Sequence, residues 1–167
     1  MNRILTVALA ATAFAATPAL AQDATAPAVA APASFTGPRI GVNVGVADDD
    51  IFGTEAFTYG AEAGYDFDLG NAVAGISAEI QDSKDLDREV ALTARIGARV
   101  GGNGLIYASG GYSNIKVFGI ALDGFRVGVG GELALGTHGF VKVEQRYANY
   151  EFGAELFQTV VGAGVRF

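Results

Sequence analysis

The chain has 167 residues, a net charge of −7, 24 glycines, one histidine and no cysteine. Half of it is hydrophobic, yet beyond residue 21 no apolar run reaches the roughly 18 residues of a spanning helix, which excludes helical membrane spans. The glycine content argues against long helices, and the acidic balance argues against nucleic-acid binding.

Met1-Asn2-Arg3 supplies a short positive segment, and Ile4 to Ala16 is an Ala-rich apolar run. Thr17-Pro18 breaks it, and Ala19-Leu20-Ala21 forms a small-x-small site before Gln22. Residues 1–21 therefore read as a secretory signal peptide, cleaved between Ala21 and Gln22. An exported chain without cysteine cannot draw its stability from disulfides, and lipid attachment of the lipoprotein kind is excluded with it. Residues 22–38 (QDATAPAVAAPASFTGP) are rich in Ala and Pro, lack a period, and read as a flexible periplasmic lead-in.

From Arg39 onward hydrophobicity is distributed by alternation, the two-residue period of a strand with two faces. The first strand is expected near 39–47, with Ile40, Val42, Val44 and Val46 on one face and Gly41, Asn43 and Gly45 on the other. The second, 56–68, places Phe57, Tyr59, Ala61, Ala63, Tyr65 and Phe67 outward, aromatic at both ends and small in the middle. The third, 72–81, puts Ala74, Ile76, Ala78 and Ile80 out and Glu79 in; the fourth, 88–100, puts Val90, Leu92, Ala94, Ile96, Ala98 and Val100 out and Thr93, Arg95 and Arg99 in. The register of the fifth, 105–116, is ambiguous because Tyr107 and Tyr112 fall on opposite faces; Tyr112 is assigned outward with Ile106 and Ala108. The sixth, 125–135, turns Phe125, Val127, Val129, Leu133 and Leu135 outward and Arg126 and Glu132 inward. The seventh, 140–149, turns Val141, Val143 and Tyr147 outward and Lys142, Glu144 and Arg146 inward, with Gln145 an unexplained polar residue on the apolar side. The eighth, 157–167, runs from Phe157 to the terminal Phe167. Ten residues at about 3.3 Å each, tilted roughly 40°, climb about 25 Å, the height of the apolar band on a membrane barrel.

Eight strands satisfy the even number required of a single-chain bacterial barrel. Leu69-Gly70-Asn71, Gly101 to Gly104 and Gly136 to Gly139 are expected to be tight turns. The stretches 48–55, 82–87, 117–123 and 150–155 are expected to be longer loops. The expected fold is all-β, an eight-stranded antiparallel up-and-down transmembrane β-barrel over 39–167. Only a closed barrel pairs every backbone group of such a chain in lipid.

The inner face collects Glu62, Asp66, Glu79, Glu132 and Glu144 against Arg95, Arg99, Arg126, Lys142, Arg146 and Arg166. An eight-stranded barrel is just wide enough for side chains to fill. The near balance of sign therefore suits an ion-paired plug, with inward glycines making room for the long chains. A narrow ion or solute path lined by the same groups is the alternative. The outward aromatics Phe57, Tyr59, Tyr65, Phe67, Phe125, Tyr147 and Phe157 are expected at the membrane interfaces.

Leu105 to Ser113 (LIYASGGYS), Val141 to Tyr150 (VKVEQRYANY) and the aromatic-terminated last strand resemble the small outer-membrane β-barrels of the OmpA/OmpX and opacity-antigen type. The resemblance spans about 39–167. It implies an outer-membrane protein with both termini in the periplasm, outer-membrane lipid and lipopolysaccharide as its surroundings, and insertion by the barrel-assembly machinery through a last strand ending on Phe167. An oligomer is not implied. The family's OmpA-type members continue into a peptidoglycan-binding domain; this chain stops at Phe167, so wall anchoring is not implied. Its loops are also short for an opacity-type adhesin.

Some barrels of this kind are lipid A deacylases or acyltransferases with a His near a Ser at the outer rim. Here the only histidine, His138, falls in a tight turn, and the corresponding rim, Arg146 to Tyr150, has neither residue. A nucleophile needs a base in reach, so no catalytic residue and no cofactor are assigned. Asp48-Asp49-Asp50 with Glu55 offers oxygen ligands for a divalent cation, but the calcium-loop spacing is absent and the stretch reads as a solvated acidic loop. Gly128-Val129-Gly130-Gly131 lacks the remainder of a nucleotide-binding motif. The expected function is a structural or surface-interaction barrel. A low-conductance channel and a soluble lipocalin-like carrier are the alternatives, the carrier demanding the opposite assignment of faces.

Overall fold

The computed structural model describes residues 35–49, 55–83, 88–117, 120–150 and 155–167. The signal segment with the Ala21/Gln22 junction, residues 22–34 of the lead-in and 50–54 of the acidic loop lie outside the described residues. The chain divides into two units, Met1–Ala31 and Pro32–Phe167, and every described residue belongs to the second.

Eight strands make up that unit: β1 (Gly37–Asp49), β2 (Glu55–Asp68), β3 (Ala72–Ser83), β4 (Glu89–Val100), β5 (Gly104–Val117), β6 (Ile120–Leu135), β7 (Gly139–Tyr150) and β8 (Glu155–Arg166). Each pairs antiparallel with its neighbours in sequence, and β8 returns to β1, closing the barrel. The closing seam runs from Arg39 opposite Arg166, through Val44 opposite Val161, to Asp49 opposite Leu156. No helix occurs among the described residues. The period-two expectation holds along the chain, because apolar side chains that alternate with glycine or charge fit a sheet with two unlike faces.

One end of the barrel is built from tight turns. Gly70, Gly101 and Gly136 take φ values of 81°, 65° and 63° there, a backbone region that side-chain-bearing residues rarely adopt. At the β2–β3 turn, the Gly70 amide donates to Asp68 Oδ1 at 2.7 Å and the Leu69 amide to the Ala72 carbonyl at 2.9 Å. The opposite end carries the connections between β1 and β2, β3 and β4, β5 and β6, and β7 and β8; these are called the turn end and the loop end.

Three expectations change. The expected loop 117–123 shrinks to residues 118–119, because β5 and β6 keep pairing up to Val117 opposite Ile120. Apolar alternation continues there, with Leu122 opposite Ile115 and packed against its cluster. Asp123 joins the strand on the outer face, where its carboxylate accepts from Asn114 Nδ2 at 2.6 Å and from the Tyr112 hydroxyl. Tyr150, expected in a loop, ends β7 and turns inward. At the start of the barrel, β1 begins at Gly37 and Phe35 is buried, so the lead-in gives way to ordered structure before Arg39.

Candidate functional site

The lumen holds the chemistry. Alternation turns Arg39, Glu62, Asp66, Glu79, Glu89, Arg95, Arg126, Glu132, Lys142, Glu144, Arg146 and Arg166 inward, and all twelve are buried. Six are acidic and six basic, so the described interior is neutral. Burying an unpaired charge costs several kcal/mol, and a neutral set leaves each charge a partner.

The pairing forms one connected ladder of alternating sign. Near the turn end, Arg95 grips Asp66 through Nε and Nη2 at 2.9 and 2.6 Å and reaches Glu132 through Nη1 at 2.8 Å. Arg166 Nη2 bridges the same two carboxylates, at 3.2 Å from Asp66. Arg39 connects Asp66, at 3.2 Å, to Glu62, at 2.7 Å. Lys142 Nζ donates to Glu62 at 2.6 Å and lies 3.9 Å from Glu144. Arg146 joins Glu144 at 3.2 Å to Glu79 at 2.9 Å. Arg126 joins Glu79 at 2.8 Å to Glu89 at 3.6 Å and also donates to Thr93 Oγ1. Near the loop end, the Tyr150 hydroxyl donates to Glu89 at 3.0 Å and accepts from Ser113 Oγ at 2.9 Å.

Sequence reasoning placed ten of these charges inward and missed two. Arg39 shares the parity of Gly41, Asn43 and Gly45, and Glu89 that of Thr93 and Arg95, so the signal was present at the strand ends. Arg99 is the correction. It pairs with Asp68 at 2.7 Å at the turn-end rim, where the two side chains are 29% and 45% exposed. It sits one residue from the end of β4, below the depth at which the ladder begins.

Glycine supplies the room. A Cβ on Gly75 would lie 2.1 Å from Asp66 Oδ1, and one on Gly162 2.8 Å from Lys142 Cε. One on Gly130 would lie 2.7 Å from both the Tyr107 ring and the Val143 carbonyl oxygen. The inward glycines thus accommodate an acid, a lysine and a tyrosine as well as arginines. The space remaining among Arg39, Glu62, Glu79, Arg95, Lys142 and Arg146 is about 10 Å³, about what one water requires.

Apolar layers lie at both ends of the ladder. At the turn end Phe35, Val73, Leu105, Tyr107 and Ala134 pack together, and Phe140 lies with its ring 5.3 Å from the Arg166 guanidinium. At the loop end Ala47, Ile115, Ala148, Tyr150 and Leu156 form the matching layer. Tyr107 resolves the register of β5: it is 4% exposed and donates to Glu144 at 3.0 Å, whereas Tyr112 is 53% exposed on the outer face.

Outside, Phe57, Tyr59, Phe125 and Phe157 are exposed towards the loop end, and Tyr65, Phe67 and Phe167 towards the turn end. Tyr147 is half-buried, its ring 5.0 Å from that of Phe157; Tyr65 and Phe67 are 4.9 Å apart. Gln145 finds its explanation across the β7–β8 ladder, where it stands opposite Thr159 and accepts that hydroxyl at 2.8 Å. His138 is exposed in the β6–β7 turn, its Nδ1 2.7 Å from Thr137 Oγ1.

No protein-family model and no curated protein matches this chain in sequence. Solved structures do match in fold. The N-terminal β-barrel domain of Pseudomonas aeruginosa OprF aligns with a TM-score of 0.61 at 16% identity, over 79% of this chain and 99% of that one. The outer membrane enzyme PagL aligns with a TM-score of 0.57 at 12% identity, over 76% and 99%. Neisserial surface protein A aligns with a TM-score of 0.54 at 12% identity, over 78% and 96%. This chain has the architecture of the small eight-stranded outer-membrane β-barrels. That architecture is shared by an enzyme and a surface protein, so it leaves the activity to be argued from the residues.

Proposed function

We propose that this chain is an integral β-barrel of the bacterial outer membrane, with a structural or surface-interaction role and a lumen closed to solutes. One observation carries the reading: the two faces are inverted relative to a water-soluble barrel. Large apolar side chains such as Val42, Leu92, Ile96, Ile106 and Val129 are about half or more exposed on the outside, while the charges are buried. Exposed in water, so extensive an apolar surface would drive aggregation; in lipid it is the solvated face. The same inversion speaks against a lipocalin-like carrier, which needs an apolar interior. The filled, paired lumen favours closure over a channel.

In this reading the turn end and both termini face the periplasm, and the loop end faces outward, following the usual short-turn, long-loop polarity, which the β1–β2, β3–β4 and β7–β8 connections fit and the two-residue β5–β6 connection does not. The exposed aromatics at the two ends then lie at the two interfaces, towards lipid and lipopolysaccharide. Phe167 is exposed while its amide donates to the Pro38 carbonyl at 2.9 Å. Its ring is thus available to the barrel-assembly machinery, and Phe167→Ala is expected to lower the amount of assembled barrel. No catalytic role is assigned: His138 sits at the turn end, whereas the rim from Arg146 to Tyr150 lies at the loop end of β7. In planar bilayers the purified protein is expected to show little steady conductance, and unboiled protein to run apart from boiled protein on a denaturing gel. Stable, ion-selective steps would establish the channel instead, and identical migration with solubility in plain buffer would remove the membrane reading.

A further inference from the structure

We propose that Phe35 is a removable stopper in the turn-end mouth of the lumen, carried by the entry segment and not by the barrel wall. The proposal rests on the closed-lumen reading and adds how one of its two ends is shut. Phe35 precedes β1 by two residues, yet it is 1% exposed. Its ring packs into the layer formed by Val73, Leu105, Tyr107 and Ala134. The Arg166 guanidinium lies 5.3 Å from the ring centre and that of Arg99 6.0 Å, so two cations hold the ring on its polar side.

The backbone is shaped to bring the ring there. Gly37 takes a φ of 102°, and a Cβ on it would lie 2.3 Å from the Phe167 carbonyl oxygen. Only glycine lets the chain bend this tightly around the last residue before β1 starts. The ladder partners of β1 begin at Gly37 opposite Asp66, so withdrawing Phe35 breaks no strand pairing. The loop-end layer differs: Ala47, Ile115, Ala148 and Leu156 are all strand residues, and it opens only if the barrel deforms. The turn-end seal is therefore the one that displacement of Phe35 alone can release, admitting water to the Asp66–Arg95–Glu132–Arg166 end of the ladder.

The chain has no cysteine, so one engineered thiol behind the ring is a unique reporter. The full chain carrying Leu105→Cys is folded into phosphatidylcholine vesicles and treated with a charged methanethiosulfonate reagent. Labelling is read only on the band with folded gel mobility. It is expected to be slow with Phe35 in place and to accelerate about tenfold or more with Phe35→Ala, because thiol reactivity follows access. Phe35→Leu, which keeps an apolar side chain in the layer, is expected to remain closer to slow. Val73→Cys, in the same layer, repeats the measurement should Leu105→Cys fail to fold. Slow labelling with and without Phe35→Ala overturns the stopper and leaves the closed lumen standing. Fast labelling with Phe35 in place, together with steady conductance, overturns the closed lumen itself.

Discussion

The lumen and the loop-end rim handle charge in opposite ways. The twelve buried charges cancel, and Asp68 and Arg99 cancel at the turn-end rim. In the sequence, Arg3 and Asp23 also cancel, so the net −7 resides at the loop end. By sequence, the stretches 48–55, 82–88, 116–123 and 151–155, which contain the connections of that end, carry ten acidic residues and three basic ones. Neutrality is enforced where water is excluded, because an unmatched charge inside costs several kcal/mol. Imbalance is tolerated where water and salt screen it. The contrast teaches that the charges of this chain are two populations under different rules, and its overall acidity describes only one of them.

Removing a lumen acid tests the contrast most strongly. Asp66→Ala leaves Arg39, Arg95 and Arg166 without their shared carboxylate and is expected to cost about 3–5 kcal/mol. Asp68→Ala, two residues along and exposed, is expected to leave the unfolding midpoint nearly unchanged. Urea titrations in lipid vesicles, followed by gel mobility, read both; equal shifts would break the distinction. Next, Gly130→Val forces a side chain against Tyr107 and the Val143 carbonyl, with an expected cost of about 1–3 kcal/mol by overpacking. A smaller effect, about 1 kcal/mol, is expected from Tyr150→Phe, which removes the hydroxyl between Glu89 and Ser113; no change in the same titration would mean that the loop-end layer is wetter than its packing implies. The smallest concerns the outer face. A double-mutant cycle on Gln145→Leu and Thr159→Val is expected to give a coupling of about 0.2–1 kcal/mol, and zero coupling would mean that lipid-face polar pairs contribute nothing.

Much of the fold was legible because alternation is a local signal. Each residue's face follows from its neighbours two positions away, so β2, β4 and β6 could be oriented without knowing what they pair with. Strand ends were harder. Val117 pairs with Ile120 and Ile115 with Leu122, an extension of the ladder fixed by the β5–β6 register and not by the two-residue period of either strand. Gln145 looked like an error for the same reason, since its justification, Thr159, depends on the β7–β8 register. Of the ladder, the residue types and parity were readable, but the connectivity from Asp66 to Glu89 was not, because it passes between side chains from seven strands. Phe35 was invisible. It is one aromatic in an Ala- and Pro-rich stretch with no period, and its burial is a property of the mouth that receives it.

The β1–β8 seam has a consequence for the life of the chain. It joins Arg39 to Arg166, and the Phe167 amide to the Pro38 carbonyl, so the cylinder cannot close until β8 is in place. Every shorter chain presents two raw strand edges, which template association with other chains, and the seam's long sequence separation makes closure slow. Closure and edge protection are thus a single event, so a copy in which β8 has not paired is marked by its own exposed backbone as something to be held or destroyed.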